Sequence, residues 1–191
     1  YRAKASGDYA TSLGMESEAS GTSSIAIGRN SKATNDNAIA IGNGASATDE
    51  RAVAIGYESD ATAIGSQSIG LRATATANYS IAQGTNATAK GSASIAIGFD
   101  SSASDIDAIA IGFEANASSN SSTAIGRSSS AIANYGTSLG ANASAEALRS
   151  TAVGYLSKSS NKDSAAFGSQ ARAEGVQSTA VGVNSIASGE Q

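Results

Sequence analysis

The stretch that decides the fold is SIAIGFDSSASDIDAIAIG, residues 94–112. It contains two similar apolar words that both end in glycine, and the two glycines are fourteen residues apart. The same spacing continues in both directions without a break, and thirteen glycines share one register: Gly14, Gly28, Gly42, Gly56, Gly70, Gly84, Gly98, Gly112, Gly126, Gly140, Gly154, Gly168 and Gly182. A fixed period of this kind indicates a repeat architecture.

Each repeat carries the period-two spacing of β-strands when its residues are numbered from the glycine as position 0. Position −2 is Ala or Ser in every repeat, position −1 is Ile, Leu, Val or Phe except at Gln83, and positions +3 and +5 are small. Fourteen residues accommodate two strands of about five residues and two tight turns, with the glycine at one turn. The sequence therefore predicts an all-β fold, a parallel β-solenoid of thirteen coils.

The charged residues suggest which positions face inward. None of the 28 charged residues (12 Lys and Arg, 16 Asp and Glu) falls at positions −4 to 0, +3 or +5. Because an unpaired buried charge is costly, we place the large apolar residues of positions −3 and −1 inside the coil. Positions −4 and −2 then point outward, and their restriction to small residues indicates close packing against a symmetry-related copy. The expected packing residues are Ala26, Ala40, Ala54, Ala82, Ala96, Ala110 and Ala124.

Two glutamines interrupt the apolar pattern. Gln67 occupies position −3 of one repeat and Gln83 position −1 of the next. On the assignment above both face the interior, where a buried amide needs a hydrogen-bond partner. A second register is possible here, because TAIG at 62–65 also looks like a repeat word and would place Ile64 rather than Ile69 in the apolar column.

These repeats resemble the heads of the YadA-like trimeric autotransporter adhesins, whose core word is similar to S-V-A-I-G followed by x-x-S/A-x-A. SIAIGRNSKA at 24–33 and SIAIGFDSSA at 94–103 match that pattern, and the likeness extends over residues 1–191 as one domain of head repeats. The resemblance implies a left-handed parallel β-roll that assembles as a homotrimer. It also implies a bacterial cell surface, with the neck, the stalk and a C-terminal outer-membrane anchor outside this fragment.

The resemblance further implies an adhesin that attaches to host extracellular-matrix proteins such as collagen, fibronectin or laminin, and to copies of itself. Bulky or cationic residues at position +1 are expected either to contact a ligand or to seal the seam between protomers: Arg29, Tyr57, Phe99, Phe113, Arg127 and Tyr155. Two other functions stay open. The repeats are alternatively a passive spacer that displays another domain, or an ice-binding solenoid, which requires a regular threonine array.

Composition and motifs argue against several other classes. A net charge of −4 and a pI near 4.8 disfavour nucleic-acid binding, and no apolar window approaches the roughly 18 residues of a membrane-spanning helix. GTSLG at 136–140 and GNGASA at 42–47 match catalytic and dinucleotide patterns, but both consist of repeat columns, and no His is present to activate Ser138. Without His or Cys only hard ions bound by oxygen remain possible, and we interpret the densest acidic clusters, Asp49 with Glu50 and Asp105 with Asp107, as solvated turn residues. We therefore expect no metal, no cofactor and no enzymatic activity.

Overall fold

The computed structural model describes residues 2–189, in which all the regular secondary structure is β-strand. The chain divides into two compact units, Tyr1–Ile97 and Gly98–Gln191. Each unit contains two parallel sheets, one of three-residue strands (sheet 1) and one of two-residue strands (sheet 2), and the chain alternates between them.

The first unit has seven strands in each sheet. Sheet 2 contains β1 (Lys4–Ala5), β3 (Glu18–Ala19), β5 (Lys32–Ala33), β7 (Ser46–Ala47), β9 (Asp60–Ala61), β11 (Thr74–Ala75) and β13 (Thr88–Ala89). Sheet 1 contains β2 (Thr11–Leu13), β4 (Ile25–Ile27), β6 (Ile39–Ile41), β8 (Val53–Ile55), β10 (Gln67–Ile69), β12 (Ile81–Gln83) and β14 (Ile95–Ile97).

The second unit repeats the arrangement with seven strands in sheet 2 and six in sheet 1. Sheet 2 contains β15 (Ser102–Ala103), β17 (Asn116–Ala117), β19 (Ser130–Ala131), β21 (Ser144–Ala145), β23 (Lys158–Ser159), β25 (Arg172–Ala173) and β27 (Ile186–Ala187). Sheet 1 contains β16 (Ile109–Ile111), β18 (Thr123–Ile125), β20 (Thr137–Leu139), β22 (Thr151–Val153), β24 (Ala165–Phe167) and β26 (Thr179–Val181).

Pairing within each unit joins every residue to the residue fourteen positions away. Ala40, for example, lies beside Ala26 on one side and Ala54 on the other, and both neighbouring strands are parallel to its own. This confirms the predicted β-solenoid with coils of fourteen residues. The strands are shorter than the five residues predicted, because turns and connecting residues occupy most of each coil.

The glycine register predicted from the sequence is confirmed at the point where a second one was possible. Ile69 pairs with Ile55 and with Gln83, which keeps the fourteen-residue period through residues 53–83. TAIG at 62–65 instead lies between β9 and β10 and forms a turn. The carbonyl of Ile64 accepts a hydrogen bond from the backbone N–H of the turn residue Tyr79.

The interior of each coil contains only small side chains. Positions −4 and −2 of sheet 1 face positions +3 and +5 of sheet 2, and Ala40, Ala45 and Ala47 are each 0% exposed. The side chains at positions −3 and −1 point away from this interior. In the strand Ile39–Ile41 the two isoleucines are half-buried and Ala40 between them is buried. The predicted assignment of the large apolar residues to the interior is therefore wrong.

The alanines expected to pack between chains are buried inside their own chain instead. All seven are 0% exposed: Ala26, Ala40, Ala54, Ala82, Ala96, Ala110 and Ala124. The physical reason is volume. Strands of two and three residues enclose a space too narrow for isoleucine, and two walls of Ala and Ser fill it at the density of a protein interior.

Serine hydroxyls complete this narrow interior by pairing with backbone carbonyls. Ser24 Oγ donates to the carbonyl of Gly21 at 2.7 Å, and Ser31 Oγ donates to that of Gly28 at 2.9 Å. Ser138, at position −2, donates to the carbonyl of Ala143 at 2.8 Å. Since backbone carbonyls of the turns and of sheet 2 supply the acceptors, Ser substitutes for Ala at most of these positions at little cost, although Ser94 Oγ is buried without a partner.

Gln67 and Gln83 also lie on the outward side of sheet 1. Both side chains are exposed, whereas Ser68 and Ala82 beside them are fully buried. The prediction of two interior amides is wrong for the same reason as the prediction of interior isoleucines.

The regular spacing of glycine at position 0 follows from backbone geometry at the first turn. Gly42 has φ +139°, a value that side-chain-bearing residues rarely adopt, and an added Cβ would lie 2.2 Å from the carbonyl oxygen of Gly56 in the next coil. Gly44, two residues later, is different. Its φ of +70° is close to that of Asn30 in the previous coil (+57°), and a Cβ there would first meet the flexible Glu58 side chain at 3.4 Å.

We therefore expect the same substitution to have opposite consequences at these two glycines. Gly42→Asn should lower the free energy of unfolding by more than about 3 kcal/mol, through strain and through collision with backbone. Gly44→Asn should change it by less than about 1 kcal/mol. Urea unfolding followed by circular dichroism measures both, and equal effects would contradict the turn geometry.

Candidate interaction surface

The outward side of sheet 1 carries two apolar columns, positions −3 and −1, which we call the outward apolar face. In the first unit, position −3 contains Ile25, Ile39 and Val53 in succession, and position −1 contains Ile27, Ile41 and Ile55. These side chains are half-buried by their neighbours in the stack. No Asp, Glu, Lys or Arg occurs in either column in any of the thirteen repeats.

In the second unit the outward apolar face becomes partly polar. Position −3 changes from Ile109 to Thr123, Thr137 and Thr151 in consecutive, paired strands. Position −1 stays apolar through Ile125, which is 38% exposed, and Leu139. An exposed row of large aliphatic side chains on a soluble domain marks an interaction surface.

Position +1, directly after the glycine, carries the six residues that were singled out from the sequence, and all are exposed: Arg29, Tyr57, Phe99, Phe113, Arg127 and Tyr155. In the second unit the structure brings three of them together. The rings of Phe99 and Phe113 stack with centroids 5.2 Å apart and an interplanar angle of 7°, and the Arg127 guanidinium lies 5.6 Å from the centroid of Phe113. Offset aromatic stacking and cation–π contacts of this kind each contribute about 0.5–1 kcal/mol at exposed sites.

Tyr57 lies in the first unit and has a different environment. A hydrogen bond with Glu58, together with the negative charge of that carboxylate, raises the pKa of Tyr57 above its ordinary value, and the positive charge of Arg29 acts in the opposite direction. Glu58 in turn accepts a hydrogen bond from Arg72 Nε at 3.0 Å, and this contact lowers the pKa of the Glu58 carboxyl. Of the six residues at position +1, the structure therefore brings together Phe99, Phe113 and Arg127, whereas Tyr57 is linked to Glu58 at position +2.

Ion pairs between successive coils lie on the surface outside the outward apolar face. Lys4 Nζ lies 2.9 Å from Glu18 Oε1, and Arg149 Nη2 donates to Asp163 Oδ2 at 2.8 Å. In each pair the partners occupy the same position in adjacent coils, a consequence of the parallel register that sequence analysis did not use. Exposed pairs of this kind contribute little to stability individually.

The pair Arg149–Asp163 gives a testable dependence on pH. Hydrogen bonding by Arg149 holds the pKa of Asp163 below its ordinary value of 3.8. A lowered pKa means that the pair stabilises the fold above pH 3.8 and that this contribution is lost as the pH falls through the lowered value. The stability difference between wild type and Asp163→Asn should therefore be constant at neutral pH and disappear in acid.

Between about pH 5 and pH 8 we expect a flat stability profile, because no His or Cys is present to titrate. EDTA should likewise leave the melting temperature unchanged. Thermal unfolding in a pH series, with and without EDTA, tests both expectations, and a step near pH 6 or a loss of stability with EDTA would contradict them.

For the ion pair Arg149–Asp163, the matched control is Arg149→Gln, since this variant should reproduce the acid profile of Asp163→Asn.

Two further properties concern the part of the chain that the structure describes. Residues 2–189 contain no group of three or more Asp and Glu side chains placed to hold a metal ion. They also contain no helix with the length and apolarity needed to cross a membrane.

The structure defines a β-solenoid of fourteen-residue repeats with an uncharged outward face, and comparison with known families assigns these repeats to one family. The family model described as the YadA head domain repeat matches residues 1–17, 19–45, 33–59, 75–101, 89–115, 103–129, 117–143, 131–157, 145–171, 159–185 and 173–191. The chain therefore belongs to the YadA head repeat family and is an adhesin-type head. The matched segments leave out Glu18 and residues 60–74, which contain Gln67.

Among solved structures, the chain is similar to the crystal structure of the collagen-binding domain of the Yersinia adhesin YadA. The identity is 26% over 87% of this chain and 69% of that chain, with a TM-score of 0.31. A search of curated proteins gave no match.

Proposed function

We propose that this chain forms the head of a bacterial surface adhesin, in which parallel copies associate through the outward apolar face and attach to host extracellular-matrix proteins. The observation that carries the proposal is the combination of family membership with an uncharged, apolar face that a single chain leaves uncovered. A homotrimer is the assembly that we propose. We also propose that an outer-membrane anchor elsewhere in the same protein holds the head at the cell surface.

A copy of the same chain is the partner that fits this face best. Its columns repeat at the spacing of parallel β-strands, about 4.8 Å, and only a partner with the same repeat can meet them continuously. The absence of charge removes any attraction to an acidic or basic partner. Symmetric association is also the commonest way for a soluble protein to cover such a face.

The surfaces left exposed in such an assembly are the ones available for matrix proteins. They include the ion-paired coils around Glu58 and Asp163 and the aromatic stack of Phe99 and Phe113. Each coil offers a small contact area, and three parallel copies present it many times over. Weak contacts repeated in this way give strong attachment through avidity.

A direct binding assay tests the adhesive function. Purified protein is passed over immobilised collagen, fibronectin and laminin, and we expect saturable binding to at least one of them. A variant shortened by residues 29–56, two complete repeats, should bind more weakly if the repeats themselves make the contacts. Saturable binding that is unchanged by the deletion would favour a localised site, and no binding to any matrix protein would favour a passive spacer.

A measurement of ice binding distinguishes the ice-binding alternative from the adhesin and from the passive spacer. Position +6 of the first unit holds Thr34, Thr48, Thr62 and Thr76 in consecutive coils, a row that sequence analysis did not identify. Thermal hysteresis of the purified protein measures ice binding directly. We expect none, since this row is a single column beside mixed residues that include Lys32 and Asp60.

A further inference from the structure

Gln67 and Gln83 are the two amides of the outward apolar face. Gln67 opens β10 at position −3 and Gln83 closes β12 at position −1, and both are exposed in the single chain. We infer that these two glutamines set the register in which copies of the chain associate. The inference rests on the proposed self-association and specifies which residues align it.

Apolar packing alone specifies the register of such an assembly poorly. In β4, β6 and β8 the outward side chains are Ile and Ile, Ile and Ile, then Val and Ile. A partner displaced by one coil therefore meets side chains of nearly the same size and chemistry. Repetitive faces of this kind are prone to slippage unless a distinctive residue fixes them.

The glutamines make two adjacent levels of the face unlike every other level. β10 and β12 are adjacent, and Gln67 lies beside Ile81 while Ile69 lies beside Gln83. The two amides therefore occupy opposite corners of a square whose other corners are isoleucines. No other repeat places an amide in these columns.

Copies in register bring each glutamine to the level of its own counterparts. A carboxamide has both a donor and an acceptor, so identical side chains can hydrogen-bond one another. A shift by one coil brings an amide opposite isoleucine, where it loses water without gaining a partner. A single buried polar residue fixes the register of coiled coils in the same way.

The test uses cysteine reporters, since the chain contains no Cys. Ile39 and Val53 are neighbours in position −3 of adjacent coils. Chains with Ile39→Cys and chains with Val53→Cys are refolded together in equal amounts and oxidised in air, so that a cross-link is a disulfide with an S–S distance of about 2 Å, shorter than the spacing of about 4.8 Å between adjacent coils. Trypsin cleavage after Lys32, Arg51 and Arg72 places the two reporters in separate peptides, 33–51 and 52–72, so mass spectrometry distinguishes same-site from mixed-site cross-links.

In the wild-type background we expect cross-links between identical sites, and few mixed-site cross-links. The double variant Q67I/Q83I should still associate, but its mixed-site fraction should rise at least about tenfold, because the penalty that excludes displaced copies has been removed. The control T74I/T88I adds the same two side chains to the outward positions of β11 and β13 in sheet 2 and should leave the fraction unchanged.

Adding Ile95→Gln to Q67I/Q83I supplies a rescue, because an amide at another level of the face should restore alignment. A mixed-site fraction that stays low in Q67I/Q83I while the assembly persists would overturn the role of the glutamines and leave the proposed assembly intact. Analytical ultracentrifugation of the wild-type protein tests the proposed assembly itself. A monomer at all concentrations would overturn the proposed assembly and, with it, the inference.

Discussion

Replacing Ala110 by Glu should unfold the coils around it. Ala110 is 0% exposed, occupies position −2 and lies beside Ala124 in a wall of small residues. Glutamate is too large for this interior, and its carboxylate would find no cationic partner among the interior columns, which contain no charged residue. We expect a loss of more than about 4 kcal/mol in the free energy of unfolding.

Circular dichroism and urea unfolding measure this effect. Ala110→Ser is the matched control, because Ser138 already occupies position −2 and its hydroxyl donates to the backbone carbonyl of Ala143. The serine variant should lie within about 1 kcal/mol of wild type. A glutamate variant with the wild-type unfolding curve would show that this column does not line the interior.

Replacing the next residue, Ile111, by Glu should have a different outcome, namely dissociation of chains that remain β-structured. Ile111 is half-buried on the outward apolar face. In the proposed assembly its replacement brings several carboxylates together in an apolar interface. A penalty of about 4 kcal/mol corresponds to a dissociation constant raised roughly a thousandfold.

Light scattering and sedimentation at several concentrations follow the dissociation. The control Asn116→Glu places the same charge at position +4 of sheet 2, a column that already contains Glu18 and Asp60, and should leave the assembly intact. The melting temperature of the wild-type protein should rise with concentration, as coupled association requires, and this dependence should be lost in Ile111→Glu. A variant that sediments like wild type would contradict the proposed face.

The fourteen-residue period is sufficient to predict most of the fold. Thirteen glycines in register and the alternation around Ala40 predict a parallel β-solenoid, and pairing at intervals of fourteen residues confirms it. Period-two alternation identifies two faces of a strand but does not say which one is inward. The assumption that large apolar residues fill the core then selected the wrong face.

The strand lengths would have corrected that choice. A coil whose strands span only three and two residues has room for Ala and Ser and no room for Ile, so the isoleucines must lie outside. The absence of charge at positions −3 and −1 therefore has a cause other than burial inside the chain. Periodicity gives no information about the ligand or about what the residues at position +1 contact. Both depend on surface side chains that each repeat is free to change.

Because the backbone fold depends on glycine, alanine and serine at fixed positions, the outward positions +4, +6 and +8 are free to diversify, and position +2 can vary among residues that tolerate a positive φ such as the +50° of Glu58. Glu58, Lys32 and Thr76 can be exchanged for other polar residues without altering any side chain of the interior. Single substitutions at these positions can therefore change the exposed surface of the head while the solenoid beneath that surface stays the same.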